Sequence, residues 1–462
     1  MNHPRKPPEQ RLFDPSSFED ETTWRTLNTH DPGIFKDKGC YYTFSTDAMY
    51  REKGRPPFRG GVQVRRSKDL IDWEWVGHAL DGVPEPAKAW TGADGLWAPD
   101  VIKLQDAYLL YYCASRFGTR QSFIGVATAA CLEGPWTDLS EVIKTAEGDD
   151  LKVNAIDPNV VFDKEGRLWM TYGSFFGGIY IAELSPSTGK LLHSGIGTLL
   201  ARRERKVREG AVEGPYIVYH PQFDYYYLFV SYDSLFTNYN VRAARSRTIT
   251  GPYIDYSGHV MTDTETADPS QIGLKLMGGY RFSDAPGWLA PGHNSVLEDN
   301  GAYYMVHHAR EEVNKHCFHL HVRPIVWTED SWPVVSPERY SGEPLRIISA
   351  NEIAGEWEWI IHDPRADAIV DAKSLSLRPD GSIDTDTGSI NHGWRVVYQE
   401  VVELQLSSHN FGWESQEELW TCRGMVLPAW DWERERTTLV FTGLTDTGIA
   451  VWGKQIRQLD AK

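Results

Sequence analysis

Apolar and polar positions alternate along most of this chain in short runs, and the spacing expected of amphipathic helices is nearly absent. Five times a short apolar stretch, opened by a polar or acidic tripeptide, is followed by an aromatic-rich segment. The openings are His30-Asp31-Pro32, Ala98-Pro99-Asp100, Ile156-Asp157-Pro158, Glu213-Gly214-Pro215 and Gly292-His293-Asn294. The segments after them read GCYYTFSTD (from Gly39), AYLLYYCAS (from Ala107), GRLWMTYGS (from Gly166), DYYYLFVSYDS (from Asp224) and GAYYMVHHAR (from Gly301). Turn sequences such as Asp163-Lys164-Glu165-Gly166 and Glu298-Asp299-Asn300-Gly301 separate the runs, which predicts antiparallel hairpins. A further strand follows each hairpin. One such unit cannot bury its apolar faces alone, so five copies predict an all-β, five-bladed β-propeller.

The pattern changes around residues 341–352. The remainder has no copy of the repeat, yet it alternates (SLSLRPDGSID, VVYQEVVELQL, TTLVFTGLTD, GIAVWGKQI), with a hairpin turn at Asp380-Gly381. Two domains are therefore expected: a propeller over 1–345, and a smaller antiparallel β-barrel or sandwich over 350–462 that packs against it.

Composition narrows the function. The 462 residues are 41% hydrophobic and 24% charged, as in an ordinary globular protein, but aromatic content is high at 12%. Most of these rings are expected in the core, and a few on a sugar-stacking surface. A net charge of −17 argues against nucleic acid or an anionic membrane as partner. The one basic run, Arg202 to Arg208, reads as a solvated loop. Five scattered cysteines show no zinc spacing and fit free thiols in a reducing compartment. The N-terminus has no apolar h-region, and no run is long enough to span a membrane. The expectation is cytoplasmic if Met1 is the natural start, and secreted if a leader was removed.

If the five first strands begin near one axis, Asp31, Asp100, Asp157, Glu213 and His293 converge there. Glycoside hydrolysis needs two carboxyls flanking the scissile bond, one protonated to donate to the leaving oxygen and one ionised. A third carboxylate nearby raises the pKa of the acid. The competing reading is a set of acidic turn residues at repeated corners.

These motifs resemble the family-43 glycoside hydrolases, and within them the arabinan-degrading enzymes, over roughly residues 25–345. The likeness rests on Thr29-His30-Asp31-Pro32, Leu96-Trp97-Ala98-Pro99-Asp100, Tyr112 to Gly118 followed by Ser122 to Ala127, Asn154 to Pro158, Tyr172 to Gly178, Glu213 to Tyr216, and Pro291 to Ser295. The tail is similar, more weakly, to the barrel appended to larger arabinanases. The resemblance implies hydrolysis of α-1,5-linked L-arabinan or arabino-oligosaccharides with inversion. Asp31 would be the general base, Glu213 the general acid, and Asp157 the residue that tunes the acid and holds the sugar. Trp97 and Phe117 would line the arabinose subsites, with Asn154, Ser174 and Phe175 as lesser candidates and Asp100 at the rim. His293 would reach a calcium ion in the central channel with waters completing its shell. The plainer alternative is a histidine that orients Asp31 or Asp157 by hydrogen bonding. The clustered His307, His308, His316, His319 and His321 give a second metal site no support. Rival readings are an exo-acting arabinofuranosidase or β-xylosidase on the same scaffold, a retaining fructosidase, and a non-catalytic carbohydrate-binding propeller. A monomer is expected.

Overall fold

The computed structural model describes residues 20–48, 60–150, 152–203, 211–265, 268–283, 285–344, 346–385, 388–390, 393–411 and 418–458. Its turns follow from their sequences. Asp163 Oδ1 accepts from the backbone N–H groups of Glu165 and Arg167, and Gly166 takes φ +82 to close that hairpin. Asn300 and Gly301 both have positive φ, as a two-residue hairpin turn requires.

Five blades result, four of them four-stranded antiparallel sheets and the fifth a four-stranded antiparallel blade extended to six strands at its inner edge. Their first strands are His30–Asp37, Trp97–Leu104, Asn159–Phe162, Val212–His220 and Trp288–Asp299. Each first strand touches the first strands of the blades on either side, so the five close a ring around one axis. The N-terminal segment seals the ring: Leu27 bridges to His319, the Asn28 amide donates to Phe318 O, and the Leu320 amide donates to Thr26 O.

The aromatic second strands are buried because each blade is covered on both faces by its neighbours. In blade 4, Tyr226, Leu228, Val230 and Tyr232 pack toward blade 3, while Tyr227 and Phe229 pack toward blade 5. In blade 2, Tyr108, Leu110 and Tyr112 face blade 1, while Leu109, Tyr111 and Cys113 face blade 3. A near-continuous apolar run with a period of two inside it is the pattern of a strand buried on both sides.

The C-terminal part forms one nine-stranded antiparallel sheet rather than two facing sheets. Its two ends share a core: Leu375, Leu377 and Ile383 from one end lie in the same cluster as Trp394, Val402 and Leu404 from the other. Trp394 donates its amide to Gly381 O and its indole N–H to Arg378 O, drawing the ends together. The sheet is joined to blade 5, where Val370–Asp371 pairs in parallel with Tyr280–Arg281. Ile360, Leu444, Ala450 and Trp452 extend the core between blades 4 and 5.

The basic run departs from expectation where it is described. Arg203 is buried, pairs with Asp233 at 2.6 Å and lies over the Tyr232 ring. Its role is to anchor the chain between blades 3 and 4. Residues 204–208 of the run lie outside the described residues. All five cysteines are free, and no helix among the described residues is long and apolar enough to cross a membrane.

Candidate active site

A residue at or near the start of each first strand takes a left-handed conformation: Asp31 (φ +52), Ala98 (+38), Asp157 (+56), Gly214 (+57) and, further along its strand, His293 (+47), with Ala290 (+49) a second such residue in blade 5. The first five are followed by Pro32, Pro99, Pro158, Pro215 and Asn294. Strand pairing slips at this point in blades 1, 2, 4 and 5, the mark of a β-bulge. A bulge re-aims a side chain out of the pleat, and positive φ at a non-glycine residue is strain that clusters at functional sites.

This register corrects the sequence alignment in two places. In blade 2 the left-handed position is Ala98, and Asp100 lies two residues further along. Asp100 is not on the rim. It is buried between blades 2 and 3, where its Oδ2 accepts from Asn159 Nδ2 (2.9 Å) and the Val160 amide (2.7 Å), and burial pushes its pKa up to about 7. In blade 4 the left-handed residue is Gly214, and Glu213 reaches the site from one position earlier. Matching tripeptides by acid content could not reveal which residue of each would take the bulge.

Asp31, Asp157, Glu213 and His293 do come together. Asp31 Oδ2 accepts from Thr46 Oγ1 at 2.6 Å, and its Oδ1 lies 2.8 Å from His30 Nδ1 and 3.2 Å from His293 Nδ1. Burial alone would raise the Asp31 pKa. The surrounding His30, His293 and His308 outweigh it and hold the carboxyl well below its ordinary range. Asp157 Oδ2 accepts from the Gly214 amide at 3.2 Å, and burial together with the Asp31 charge pushes it up to about 8. Glu213 Oε2 accepts from Ser174 Oγ at 2.9 Å, and the nearby Tyr239 hydroxyl is a minor influence that lowers its pKa. Burial first, and the Asp157 charge second, push Glu213 up to about 8. Neighbouring carboxyls are thus driven to opposite protonation states, the arrangement that separates a base from an acid.

Several contributors carry no local signal in the sequence. Thr46 ends the second strand of blade 1 and receives the Ala98 amide on Oγ1 at 2.8 Å while donating to Asp31. Arg310 NH2 lies 3.0 Å from His30 Nε2. Guanidinium only donates, so His30 Nε2 is the acceptor and its Nδ1 carries the proton given to Asp31. Tyr239 packs where a Cβ on Gly292 would collide with its ring, and so needs glycine at that position.

Among the described residues, two groups of three side chains have metal-ligating spacing. The first, His30, Asp31 and His308, does not fit a cation, because both His30 nitrogens are engaged and Arg310 supplies positive charge there. The second, Glu338, Asp431 and Glu433, already surrounds the Lys454 ammonium at 2.8, 3.3 and 3.2 Å. The blade 5 histidines belong to neither group apart from His308. His307 accepts from Arg323, and His319 pairs with Glu311.

On the rim, Trp97 is half-buried and meets Phe117 edge to face at 6.3 Å between ring centroids, with Phe117 70% exposed. Ser174 and Phe175 lie in the loop beside Glu213, and Phe175 is half-buried at φ +52. Asn154 is buried, and its Oδ1 accepts from Ser122 Oγ at 2.6 Å.

Comparison with known proteins agrees with this arrangement. Residues 24–333 match the glycosyl hydrolases family 43, and residues 337–453 match a C-terminal lipocalin-like domain. An extracellular endo-α-(1→5)-L-arabinanase of Thermotoga petrophila is 33% identical over 480 residues, covering 95% of this chain and 96% of the relative. Extracellular endo-α-(1→5)-L-arabinanase 2 of Bacillus subtilis is 31% identical over 95% of each chain. The crystal structure of endo-1,5-α-L-arabinanase from Thermotoga petrophila RKU-1 superposes with a TM-score of 0.81 at 33% identity, covering 94% of this chain and 99% of that one.

Proposed function

The chain belongs to the glycosyl hydrolases family 43, and on that footing we propose that it hydrolyses α-1,5-linked L-arabinan or arabino-oligosaccharides with inversion. The observation that carries the reading is the convergence of three buried carboxyls from blades 1, 3 and 4, with Asp31 held ionised and Glu213 held protonated. Asp31, fixed by Thr46 and His30, removes a proton from the attacking water. Glu213, protonated near neutral pH, gives its proton to the leaving oxygen. Asp157 and Glu213 titrate together, so that ionising Asp157 raises the Glu213 pKa further, and Asp157 offers hydrogen bonds to the sugar. An inverting pair needs room for that water between base and acid. Trp97 and Phe117 supply the stacking faces, and Ser174 orients the acid.

Calcium is assigned to His293. Around the axis, His308 Nε2 and both amide atoms of Asn294 are buried without a hydrogen-bond partner, which fits a polar, water-bearing channel. With one imidazole and a shell otherwise made of water, a hard cation that prefers oxygen ligands would be held weakly, and it would add positive charge to the channel. Chelation followed by calcium add-back should change activity or melting temperature, and no response to either leaves His293 as an orienting residue. The extracellular relatives favour the secreted alternative over the cytoplasmic one, and fractionation of the native host tests this. We take the chain to act as a monomer.

Product analysis on linear arabinan, with the anomer followed by NMR, tests the whole reading. Release of β-configured products from α-linkages, with a mixture of oligosaccharide lengths early on, is expected. Retained configuration or an inert substrate overturns it.

A further inference from the structure

Each first strand begins at the carboxyl end of the propeller and runs away from it, and the second strand returns. The turns between second and third strands therefore rise around the site. In blade 2 this turn carries Phe117. In blade 4 it carries Phe236, 49% exposed, and in blade 5 it carries Val313, 75% exposed. In a ring of five blades, the boundary between blades 4 and 5 stands across the axis from blade 2.

Single exposed apolar residues are ordinary on protein surfaces. Phe236 differs in being braced by a neighbouring side chain and a hydrogen-bonded turn. The Arg310 guanidinium packs against its ring at 5.4 Å to the centroid. Arg310 also donates from Nε to Leu235 O and from NH1 to Lys315 O, both at 2.8 Å, tying the blade 4 turn to the blade 5 turn. Within the Phe236 turn, Ser234 O accepts the amides of Thr237, Asn238 and Tyr239, and the Ser234 amide donates to Asn238 Oδ1. An ordered aromatic ring loses little entropy when a ligand stacks on it.

The two rims are wired to the same carboxylate. From blade 2, the backbone N–H that follows Trp97 donates to Thr46 Oγ1, which donates to Asp31 Oδ2. From the opposite side, Arg310 holds Phe236 and also donates to His30, whose Nδ1 meets Asp31 Oδ1. Glu213 stands on blade 4, the same blade as Phe236, and the acid must lie at the leaving oxygen.

We propose that Phe236, braced by Arg310, is the stacking platform for the sugar residues on the leaving-group side, opposite the platform of Trp97 and Phe117. The inference rests on the arabinan reading above and deepens it: the substrate is a chain extending past the scissile bond in both directions. Such a platform contributes more as the leaving portion lengthens.

The test is kcat/KM on linear arabino-oligosaccharides from the triose to the hexaose, for the wild type, Phe236→Ala and Phe236→Tyr. For Phe236→Ala the loss should grow with chain length, reaching about 10-fold on the hexaose and appearing mainly in KM. Phe236→Tyr, which keeps the aromatic face, should restore most of it. A loss equal at every length would mean that Phe236 acts only through Arg310 on His30, and would overturn the proposal, as would no loss at all. If the wild type itself leaves every length intact, the arabinan reading fails and the platform falls with it, a result distinct from one seen only in the variant.

Discussion

Two places in the molecule gather three largely buried carboxyl groups, and they do opposite things. At the propeller axis stand Asp31, Asp157 and Glu213, with no lysine or arginine bonded to any of them among the described contacts. At the domain junction stand Glu338, Asp431 and Glu433, with the Lys454 ammonium in their midst and Arg339 against Glu433. At the junction burial raises the Glu433 pKa, but the two cations outweigh it and hold that carboxyl down at about 2, whereas at Glu338 burial and the Glu433 charge outweigh Lys454 and push it up to about 7. At the axis burial first, and a neighbouring carboxylate second, push Asp157 and Glu213 up to about 8. The junction is an ion-paired lock between the last strand of the sheet and the chain leaving blade 5. The axis retains a proton that can be transferred. Acidic clustering alone does not distinguish the two, and what the carboxyls are bonded to does.

The largest effect should come from taking the transferable proton out of the axis. Glu213→Gln should lower kcat by about 10²–10⁴-fold while oligosaccharide binding remains measurable. Wild-type turnover in that variant would remove Glu213 from the role of acid. The wild-type pH profile carries the same information. Glu213 works only while protonated, so activity should fall as pH rises through about 8. Asp157→Asn, which removes the neighbouring charge, should move that limb to lower pH.

Removing the cation from the junction makes it resemble the axis. Lys454→Met leaves Glu338, Asp431 and Glu433 buried without their counter-ion, and should cost about 3–5 kcal/mol of stability. The readout is chemical denaturation, with kcat of the folded fraction retained. A smaller effect follows at the axis from Thr46→Val. It deletes a hydrogen bond to an ionised group, worth about 1.5–3 kcal/mol. Turnover should drop by about 10-fold, and the acidic limb of the pH profile should move up as Asp31 loses a donor. An unshifted acidic limb would show that Thr46 serves only Ala98.

Much of this was legible in the chain. The five repeats, the doubly buried aromatic strands and the carboxyls themselves follow from residue type and spacing, because blade packing imposes the same pattern five times. The bulge register was not legible, since Ala98 and Gly214 resemble any residue before proline until the strands are paired. Thr46, Tyr239 and Arg310 were also hidden. They reach the site from strand ends and a turn remote in sequence, where one hydroxyl or one guanidinium leaves no periodic trace. Lys454 sits in a strand that reads as ordinary alternation, and only the fold brings Glu338 to it.

Asp100 offers the mildest test, because it is a buried carboxyl that belongs to neither cluster. Its two donors, Asn159 Nδ2 and the Val160 amide, are neutral, and burial raises its pKa to about 7. A raised carboxyl favours the folded state most when protonated. Its contribution is therefore complete below about pH 4 and is lost as pH rises through about 7. Asparagine offers the same acceptor oxygen to both donors and does not ionise. Asp100→Asn should therefore match the wild type near pH 4 and be the more stable near pH 8, the gap opening by up to about 1.4 kcal/mol per pH unit as the pH rises toward 7. Its turnover should stay close to that of the wild type, whereas Asp31→Asn, one blade away, should lose nearly all of it. If Asp100→Asn is instead inactive with an unchanged melting curve, Asp100 takes part in the chemistry, and the bulge no longer divides the working carboxyls from the structural one.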